Sequence, residues 1–282
     1  MEICRPASLT AFLELAGSFL AEHEAEHGLM LGVAASTATP PADAYWSLVL
    51  DQKRVVAAGL RTEDKLIVSR ERAGGAVAAL ARDALQPALR SVLGPPQSVA
   101  AFTAASGRPW RLRMAQRIYE NRAVVPPTDV PGRRRPARPD DVDLLAEWSR
   151  RLSSEALGET VSKEDAVARA QSHIARGSMH VWEIDGRAVC VAAAVGPTPH
   201  GIRLNNVYTP PELRGRGYAS ALVADLTKAL LDGGRDFVFL HTDLANRTSN
   251  GIYQRVGYRP IADLQMLNLE QAELMGTYER TK

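Results

Sequence analysis

The apolar positions in the second half of the chain follow the periods of helices and strands in turn. Apolar residues recur at helical spacing from Ala219 to Leu230 and stop before Gly233, which predicts one helix. The stretch HVWEIDGRAVCVAAAVG predicts a β-hairpin, because Asp185 and Gly186 can adopt the positive φ angles of a tight turn. The remaining predicted elements are the strands GIRLNNVYT, FVFLHT and DLQMLNL, the short helix SNGIYQRV ending at Gly257, and two earlier helices that open at Asp140 and at Ser162 with Asp165.

The first half of the chain repeats this order in a weaker form. A helix is predicted from about Leu9 to His27, followed by the hairpin YWSLVLDQKRVVAAGL, the strand KLIVS, the helix AVAALARDAL and the strand WRLRMAQRI. The shared layout predicts an internal duplication of one fold.

A proline-rich stretch separates the two halves. Residues 124–141, VVPPTDVPGRRRPARPDD, contain five prolines and the basic cluster Arg133, Arg134 and Arg135. Because no aromatic residues are interleaved with these arginines, we interpret the stretch as an ion-paired or solvated linker and not as a nucleic-acid patch. Since 282 residues suit two domains, we predict an N-terminal domain over 1–125, a linker over 126–139 and a second domain over 140–282.

Composition narrows the class of protein. Apolar residues make up 45% of the chain and charged residues 23%, as in soluble globular proteins. No apolar run approaches the roughly 20 residues of a membrane span, and the N-terminus lacks the pattern of a signal peptide, so we expect a cytoplasmic protein without a membrane partner. The net charge of +2 is too small to indicate nucleic acid. Cys4 and Cys190 have no CxxC spacing and predict neither a disulfide framework nor a zinc site.

The stretch TPPELRGRGYASALVADL, residues 209–226, places two arginines and two glycines at the start of a predicted helix. The first N–H groups of a helix lack internal partners, and the helix dipole adds about half a positive charge there. The glycines let an anion approach these groups, and Arg214 and Arg216 add charge, so the stretch predicts a pyrophosphate site. It lacks the GKS or GKT of a P-loop. Pro210 and Pro211 also separate the strand from the first glycine, which argues against a dinucleotide-binding loop.

The spacing Arg/Gln-x-x-Gly-x-Gly/Ala, met by Arg214, Gly217 and Ala219, resembles the acetyl-CoA loop of the GNAT superfamily of N-acetyltransferases. The stretch TDLANRTSNGIYQRVGY, residues 242–258, is similar to the strand-to-helix segment that follows in that family. The resemblance covers residues 133 to about 270. It implies an α+β protein with the three-layer α/β/α GNAT fold and a mixed, mostly antiparallel sheet, as two GNAT-like domains in tandem, the N-terminal one degenerate.

The resemblance also implies a function and a set of site residues. The chain would move an acetyl group from acetyl-CoA, its co-substrate, to a primary amine by direct attack and without a metal, and Tyr253 would act as general acid to the CoA thiolate. Val207, Tyr208 and Thr209 would bind the thioester end and the pantetheine arm, with the Val207 N–H polarising the acetyl carbonyl. The other expected cofactor contacts are Arg214, Gly215, Arg216, Gly217, Tyr218, Ala219 and Ser220 for the pyrophosphate and Asn246 for the pantetheine.

The general base is left open by the sequence. An alkyl amine must lose a proton before it attacks, which costs about 4.6 kcal/mol at pH 7. Many relatives use a glutamate on the strand before the loop, whereas NNVYT offers Asn205 and Asn206, which can order a water but cannot accept the proton. His241, Asp243, Glu212 or a water chain are the candidates. The amine acceptor and the oligomeric state, monomer or homodimer, are open as well.

Two alternatives compete with this interpretation. HEAEH, residues 23–27, fits the zinc-binding pattern HExxH on a helix, but His23 and His27 continue an apolar stripe, so we interpret them as histidines at the edge of a core. A non-catalytic acyl-CoA-binding sensor or scaffold could use the same fold. The presence of both Tyr253 and the pyrophosphate loop favours the enzyme.

Overall fold

A computed structural model describes residues 1–61, 64–85 and 89–270. The chain divides into two compact units. Unit 1 contains Met1–Ala16, Thr39–Ala115 and the residues from Leu264 onward, and unit 2 contains Gly17–Ala38 and Gln116–Asp263. The predicted boundaries at 125 and 140 therefore do not coincide with the edges of these units. Residues 271–282 of the predicted second domain lie outside the described residues.

The elements agree closely with the apolar periodicity of the second half. The helices are α1 Leu9–Ala21, α2 Gly28–Ser36, α3 Ala76–Ala84, α4 Pro96–Ser106, α5 Val142–Leu157, α6 Lys163–Ala175, α7 Tyr218–Asp232 and α8 Arg247–Arg255. The strands are β1 Glu2–Cys4, β2 Tyr45–Asp51, β3 Arg54–Arg61, β4 Lys65–Val68, β5 Ser91–Gly94, β6 Trp110–Asn121, β7 Arg133–Pro136, β8 Met179–Ile184, β9 Arg187–Val195, β10 Gly201–Tyr208, β11 Phe237–Asp243 and β12 Arg259–Leu269. Among the described residues, no helix combines the length and the apolar character needed to cross a membrane.

The two units have the same strand topology. In unit 1, β1, β2, β3 and β4 pair antiparallel in sequence, β4 pairs parallel with β5, and β5 pairs antiparallel with residues 265–268 of β12. In unit 2, β7, β8, β9 and β10 pair antiparallel in sequence, β10 pairs parallel with β11, and β11 pairs antiparallel with residues 116–121 of β6. The predicted duplication of one fold is therefore seen in the pairing. Each unit takes its last strand from the other half of the chain.

Unit 2 has three layers because its strands alternate between two apolar cores. Ile202, Leu204, Val238 and Leu240 face α7 and α8, whereas Val181, Val191 and Ala193 face α5 and α6. In unit 1, α3 and α4 pack on the strands in the same way around Val77, Leu80 and Phe102.

The basic cluster of the predicted linker is an edge strand. Residues 133–136 form β7, which pairs with β8, and the arginines are ion-paired: Arg133 and Arg135 with Glu183, and Arg134 with Asp225. Ion pairing agrees with the interpretation given above, but the backbone is extended and hydrogen-bonded. The prolines obscured the strand signal, since Pro136 sits at the edge, where it blocks no central ladder.

The predicted helix over Leu9–His27 is wrong in its second half. Helix α1 ends at Ala21, residues 22–27 form turns, and Gly28 begins α2 instead of ending α1. Phe239 explains the glycine, because a Cβ at position 28 would lie 2.2 Å from Phe239 Cζ. Only glycine lets α2 approach the sheet of unit 2 this closely.

Candidate active site

The two parallel strands of unit 2 separate at one end. The β10–β11 pairing runs from Gly201 with Phe237 to Leu204 with Leu240, and both strands then continue without further pairing to each other, β10 to Tyr208 and β11 to Asp243. A bulge in β10 causes the separation. Its register against β9 shifts between Asn205 and Tyr208, and Asn206 adopts the left-handed region with φ 52°. Beyond Leu204 and Leu240 the two strands are therefore unpaired, and we refer to the region between their ends, beside Val207, as the slot.

The glycine-rich loop leads from this slot to an open helix end. Gly215 and Gly217 have φ angles of 79° and 81°, which disfavour other residues. Ala221 N donates to Gly217 O, so the N–H groups of the residues before Ala221 lie ahead of the first intrahelical bond. Among the described residues, no side chain caps this end at Gly217. A helix end left uncapped, next to a slot, is a ready site for an anion.

The two arginines of the loop have different surroundings. The Arg214 guanidinium donates to Glu155 Oε2 at 2.6 Å and to Thr209 O at 2.9 Å, and it lies over the Tyr208 ring. Tyr208 also donates to Glu155 Oε1 at 2.8 Å. The Arg214 side chain thus fastens the end of β10 to α5, while Arg216 is exposed to solvent.

Tyr253 is buried on α8 beside the slot. Its ring packs against the rings of Tyr119 and Tyr258, at centroid distances of 6.4 and 5.9 Å. Burial, and then the nearby Cys190 thiol, raise the pKa of Tyr253. Thr209 Oγ1 donates to Cys190 Sγ at 3.2 Å, which connects this cluster to the end of β10. Tyr253 therefore stays protonated at neutral pH, next to the strand ends.

A hydrogen-bonded turn joins β11 to α8. Asn246 caps α8, since its Oδ1 accepts from Ser249 N at 3.0 Å. Asn250 Nδ2 donates to Asp243 O and to Asn246 O, and its Oδ1 accepts from Tyr119 at 2.9 Å. The sequence missed Tyr119, because it lies on β6, far from the loop in the chain.

The candidate bases have different surroundings. Burial, and then Arg203, lower the pKa of His241 to about 3, so the imidazole is a weak base. Asp243 Oδ1 accepts from Ala245 N at 2.8 Å and orients the turn. Glu212 is exposed in a 3₁₀ turn before the loop. Asn205 is exposed at the bulge, where it can contact water.

Residues of the HEAEH stretch stabilise unit 2 through hydrogen bonds. Glu24 accepts hydrogen bonds from Thr198 Oγ1 at 2.5 Å, His200 N at 2.8 Å and Gly201 N at 3.1 Å, so it holds the turn that leads into β10. His27 is buried, and its Nδ1 lies 3.0 Å from Leu20 O. His23 and Glu24 also line a cavity of about 480 Å³. In the described parts of the chain, no group of three or more His, Cys, Asp or Glu side chains is arranged to hold a metal ion.

Comparisons with known proteins agree with this geometry. Residues 143–258 match the model of the acetyltransferase (GNAT) family. Among solved structures, a GCN5-related N-acetyltransferase from Sphaerobacter thermophilus is 18% identical with a TM-score of 0.61, and the alignment covers 95% of this chain and 94% of that one. A GNAT-family acetyltransferase from Colwellia psychrerythraea is 11% identical with a TM-score of 0.55, covering 96% and 100%. No curated protein sequence matches the chain significantly.

A tandem protein is also similar in structure. The tandem GNAT protein from the clavulanic acid biosynthesis pathway is 13% identical with a TM-score of 0.57, and the alignment covers 96% of this chain and 100% of that one. At these identities, the structural likeness establishes the fold. Together with the family match, it shows that residues 143–258 form an acetyltransferase domain of the GNAT family, in a chain with a tandem GNAT fold.

Proposed function

We propose that unit 2 transfers an acetyl group from acetyl-CoA to a primary amine by direct attack. The observation that carries the proposal is the slot between β10 and β11, which opens beside the uncapped start of α7. A thioester arm can enter the slot while its pyrophosphate meets the helix end.

Backbone groups supply most of the cofactor contacts in this proposal. The pyrophosphate binds the N–H groups of the segment from Gly215 to Ser220, which includes Gly217, Tyr218 and Ala219, and Arg216 adds a free positive charge. The Arg214 side chain acts indirectly, because its contacts with Glu155 and Thr209 O hold the end of β10. Val207, Tyr208 and Thr209 line the pantetheine arm, and the Asn246 amide nitrogen donates to it.

The reaction breaks the thioester C–S bond as the amine nitrogen bonds to the acetyl carbon. The Val207 N–H stabilises the negative charge that develops on the carbonyl oxygen. The leaving thiolate takes a hydrogen bond from Tyr253. Because burial raises the pKa of Tyr253, we expect it to stabilise the thiolate by donation more than by complete proton transfer. A chain of waters that starts at the exposed Asn205 carries the amine proton to bulk solvent.

A paired experiment tests the cofactor site. Gly217→Glu puts a carboxylate at the start of α7, and Gly217→Gln is the matched control, because both carry the same backbone strain at φ 81°. We expect calorimetric titration to show acetyl-CoA binding to the wild type, weaker by about tenfold or more in the glutamate than in the glutamine variant. Arg216→Ala should weaken binding less. Equal affinities in the two position-217 variants would contradict a pyrophosphate at this helix end.

The role of Tyr253 is tested separately by kinetics. Tyr253→Phe keeps the ring packing and removes the hydroxyl, so we expect kcat to fall about 100-fold, with little change in the Kd of acetyl-CoA. An unchanged kcat would remove Tyr253 from the mechanism. Tight acetyl-CoA binding without turnover over a broad amine panel would instead favour the non-catalytic sensor.

A further inference from the structure

Arg203 is a charged residue inside the sheet of unit 2. It lies on β10, in register with Val195 on one side and Phe239 on the other, and its side chain is part-buried. Its neighbours in sequence, Ile202 and Leu204, pack in the core beneath α7. Since side chains alternate along a strand, Arg203 points to the opposite face.

The guanidinium of Arg203 has no acidic partner in the described part of the chain. Burial is the sole cause that lowers its pKa, to about 10. Other buried arginines are paired: Arg61 with Asp43 in unit 1, and Arg135 with both Asp141 and Glu183 in unit 2. Partial removal of a cation from water without a counter-ion is costly, so an anion that joined Arg203 would be stabilised there.

The neighbouring polar groups leave this positive charge uncompensated. His241 lies two residues beyond Phe239 on β11, and its lowered pKa keeps the ring neutral. Its buried Nε2 has no hydrogen-bond partner among the described residues. Asn205, two residues beyond Arg203 on the same strand, is exposed. One cation and two neutral polar groups thus occupy the same region of the sheet.

The position of Arg203 on β10 sets its distance from the place where the acceptor amine would attack. It precedes Leu204, where the pairing of β10 and β11 ends, and it points away from α7, whose first turn we assign to the pyrophosphate. The acetyl carbon, near Val207, would be four residues further along β10, which is about 10 Å or more at the rise of a strand. A ligand group at Arg203 therefore lies several bonds from a nitrogen that attacks at Val207.

We propose that the acceptor of unit 2 is an amine that carries a carboxylate several bonds from its nitrogen, and that Arg203 binds this carboxylate. The inference rests on the proposed function, since it specifies the acceptor of the same site. A carboxylate matches the planar fork of one guanidinium, with two parallel hydrogen bonds and one balancing charge. The exposed Asn205 side chain is available to the remaining carboxylate lone pairs.

The test compares acceptors of equal amine basicity. The pairs are 5-aminovalerate with pentylamine and 6-aminohexanoate with hexylamine, and the readout is the ratio of kcat/KM within each pair. We expect the wild type to prefer the carboxylate member by about 30-fold or more, and Arg203→Met to lose this preference. Arg203→Lys keeps the positive charge but lacks the planar guanidinium, so this variant should retain part of the preference for the carboxylate member. Arg187→Met, at the exposed first residue of β9, is the matched control and should keep the wild-type ratio.

A second readout separates this proposal from the proposed function. Calorimetry of 6-aminohexanoate with the CoA-loaded protein measures binding without turnover, and melting curves verify that each variant is folded. A ratio near one in the wild type, or one unchanged in Arg203→Met, overturns the Arg203 proposal while acetyl transfer stands. Binding that Arg203→Met weakens, without transfer to any amine, supports the anion site and contradicts the transferase. If neither binding of 6-aminohexanoate nor transfer to any amine is observed, the Arg203 proposal and the proposed function are both overturned.

Discussion

In both units, the helix that follows the first strand of the parallel pair begins with the same backbone conformation. The side chains around the N-terminal end of that helix differ between the units. Gly75 precedes α3 with φ 86°, and Gly217 precedes α7 with φ 81°. In unit 1, Glu71 Oε2 accepts a hydrogen bond from Val77 N at 2.9 Å, so a carboxylate of the chain itself covers the helix end. In unit 2, the position that corresponds to Glu71 is Leu213, whose side chain has no acceptor, and Gly217 has no side chain to cap the end. The same backbone conformation thus occurs at the start of α3, where a side chain of the protein caps the helix, and at the start of α7, where neither Leu213 nor Gly217 does.

This difference shows what makes a helix end available to a ligand. A Cβ on Gly75 would meet nothing within 4 Å, so crowding does not close the end of α3. The internal carboxylate does, because it bonds the Val77 N–H and places a negative charge at the positive end of the dipole that would otherwise attract an external anion. Among the buried glutamates of unit 2, Glu24 serves a different element. Glu24 holds the turn before β10, at the end of that strand opposite to the glycine loop.

The largest expected effect concerns whether either unit can exist alone. Unit 2 requires residues 17–38 and the β6 strand that pairs with β11, and unit 1 requires the end of β12. We expect fragments 1–128 and 129–282, expressed separately, to lack a cooperative thermal transition, because each loses the last strand of its unit and the apolar surface that this strand covers. Circular dichroism with temperature measures this.

Co-expression of the two fragments is the control. The cut lies in the segment between β6 and β7, so the exchanged strands remain available, and we expect the pair to recover a cooperative transition. A fragment 129–282 that melted alone at the temperature of the full chain would show that the units are separable domains, and the comparison would then concern two independent proteins.

The second effect tests whether the internal carboxylate explains the difference between the helix ends. Leu213 precedes Gly217 by four residues, as Glu71 precedes Gly75. Leu213→Glu should let unit 2 cap its own helix and weaken acetyl-CoA binding by about tenfold relative to Leu213→Gln, which removes the same packing without adding charge. Calorimetric titration compares the two variants.

The reciprocal change in unit 1 completes this test. Glu71→Ala removes the carboxylate and its hydrogen bond from Val77 N, and it should cost about 1 kcal/mol in the free energy of unfolding, since an N-terminal cap is lost. It should leave the affinity for acetyl-CoA unchanged. If Leu213→Glu and Leu213→Gln bound equally, charge at the helix end would not be the factor that distinguishes the units.

Local patterns predicted most elements of unit 2, because its helices and strands have strong periodicity and clear end signals. The turn at Asp185 and Gly186 has φ angles of 47° and 77°, and Ser162 Oγ accepts from Asp165 N, as expected. Unit 1 was harder to predict. β5 and β1 have only four and three residues, and α4 combines small residues without a clear apolar stripe. The exchange of β6 and β12 leaves no local signal, because pairing partners are chosen by the whole fold.

The site was predictable only where the chemistry follows from neighbouring residues. The glycine loop and Tyr253 belong to short stretches with recognisable spacing. Glu155 and Tyr119, which position Arg214 and Asn250, come from other elements and were missed. Arg203 did leave a signal, since it is a charged residue between Ile202 and Leu204 in an otherwise apolar start of a strand. The sequence alone does not interpret this charged residue; the structure does, because it shows that no described acidic residue pairs with Arg203.

The smallest expected effect is a pH dependence of stability at Glu24 and His200. Burial alone would raise the pKa of Glu24, but hydrogen bonds from Thr198, His200 and Gly201 outweigh burial and lower it. The bond to Glu24 raises the pKa of His200. The Glu24 contribution is complete above its unfolded pKa of about 4.3 and is lost as pH falls through the lower folded value. The His200 contribution is complete below about pH 6.5 and is lost as pH rises through the higher folded value.

The two groups therefore stabilise each other most between about pH 5 and 6. We expect the melting temperature of the wild type to exceed that of His200→Asn most in this range, and the difference to shrink toward pH 8, because neutral His200 no longer pairs with the carboxylate. Thermal melts from pH 5 to 8 measure it, with His173→Asn as control, since burial lowers the pKa of His173. A difference that grew with pH would contradict this pairing, because it would mean that the folded state favours the neutral form of His200.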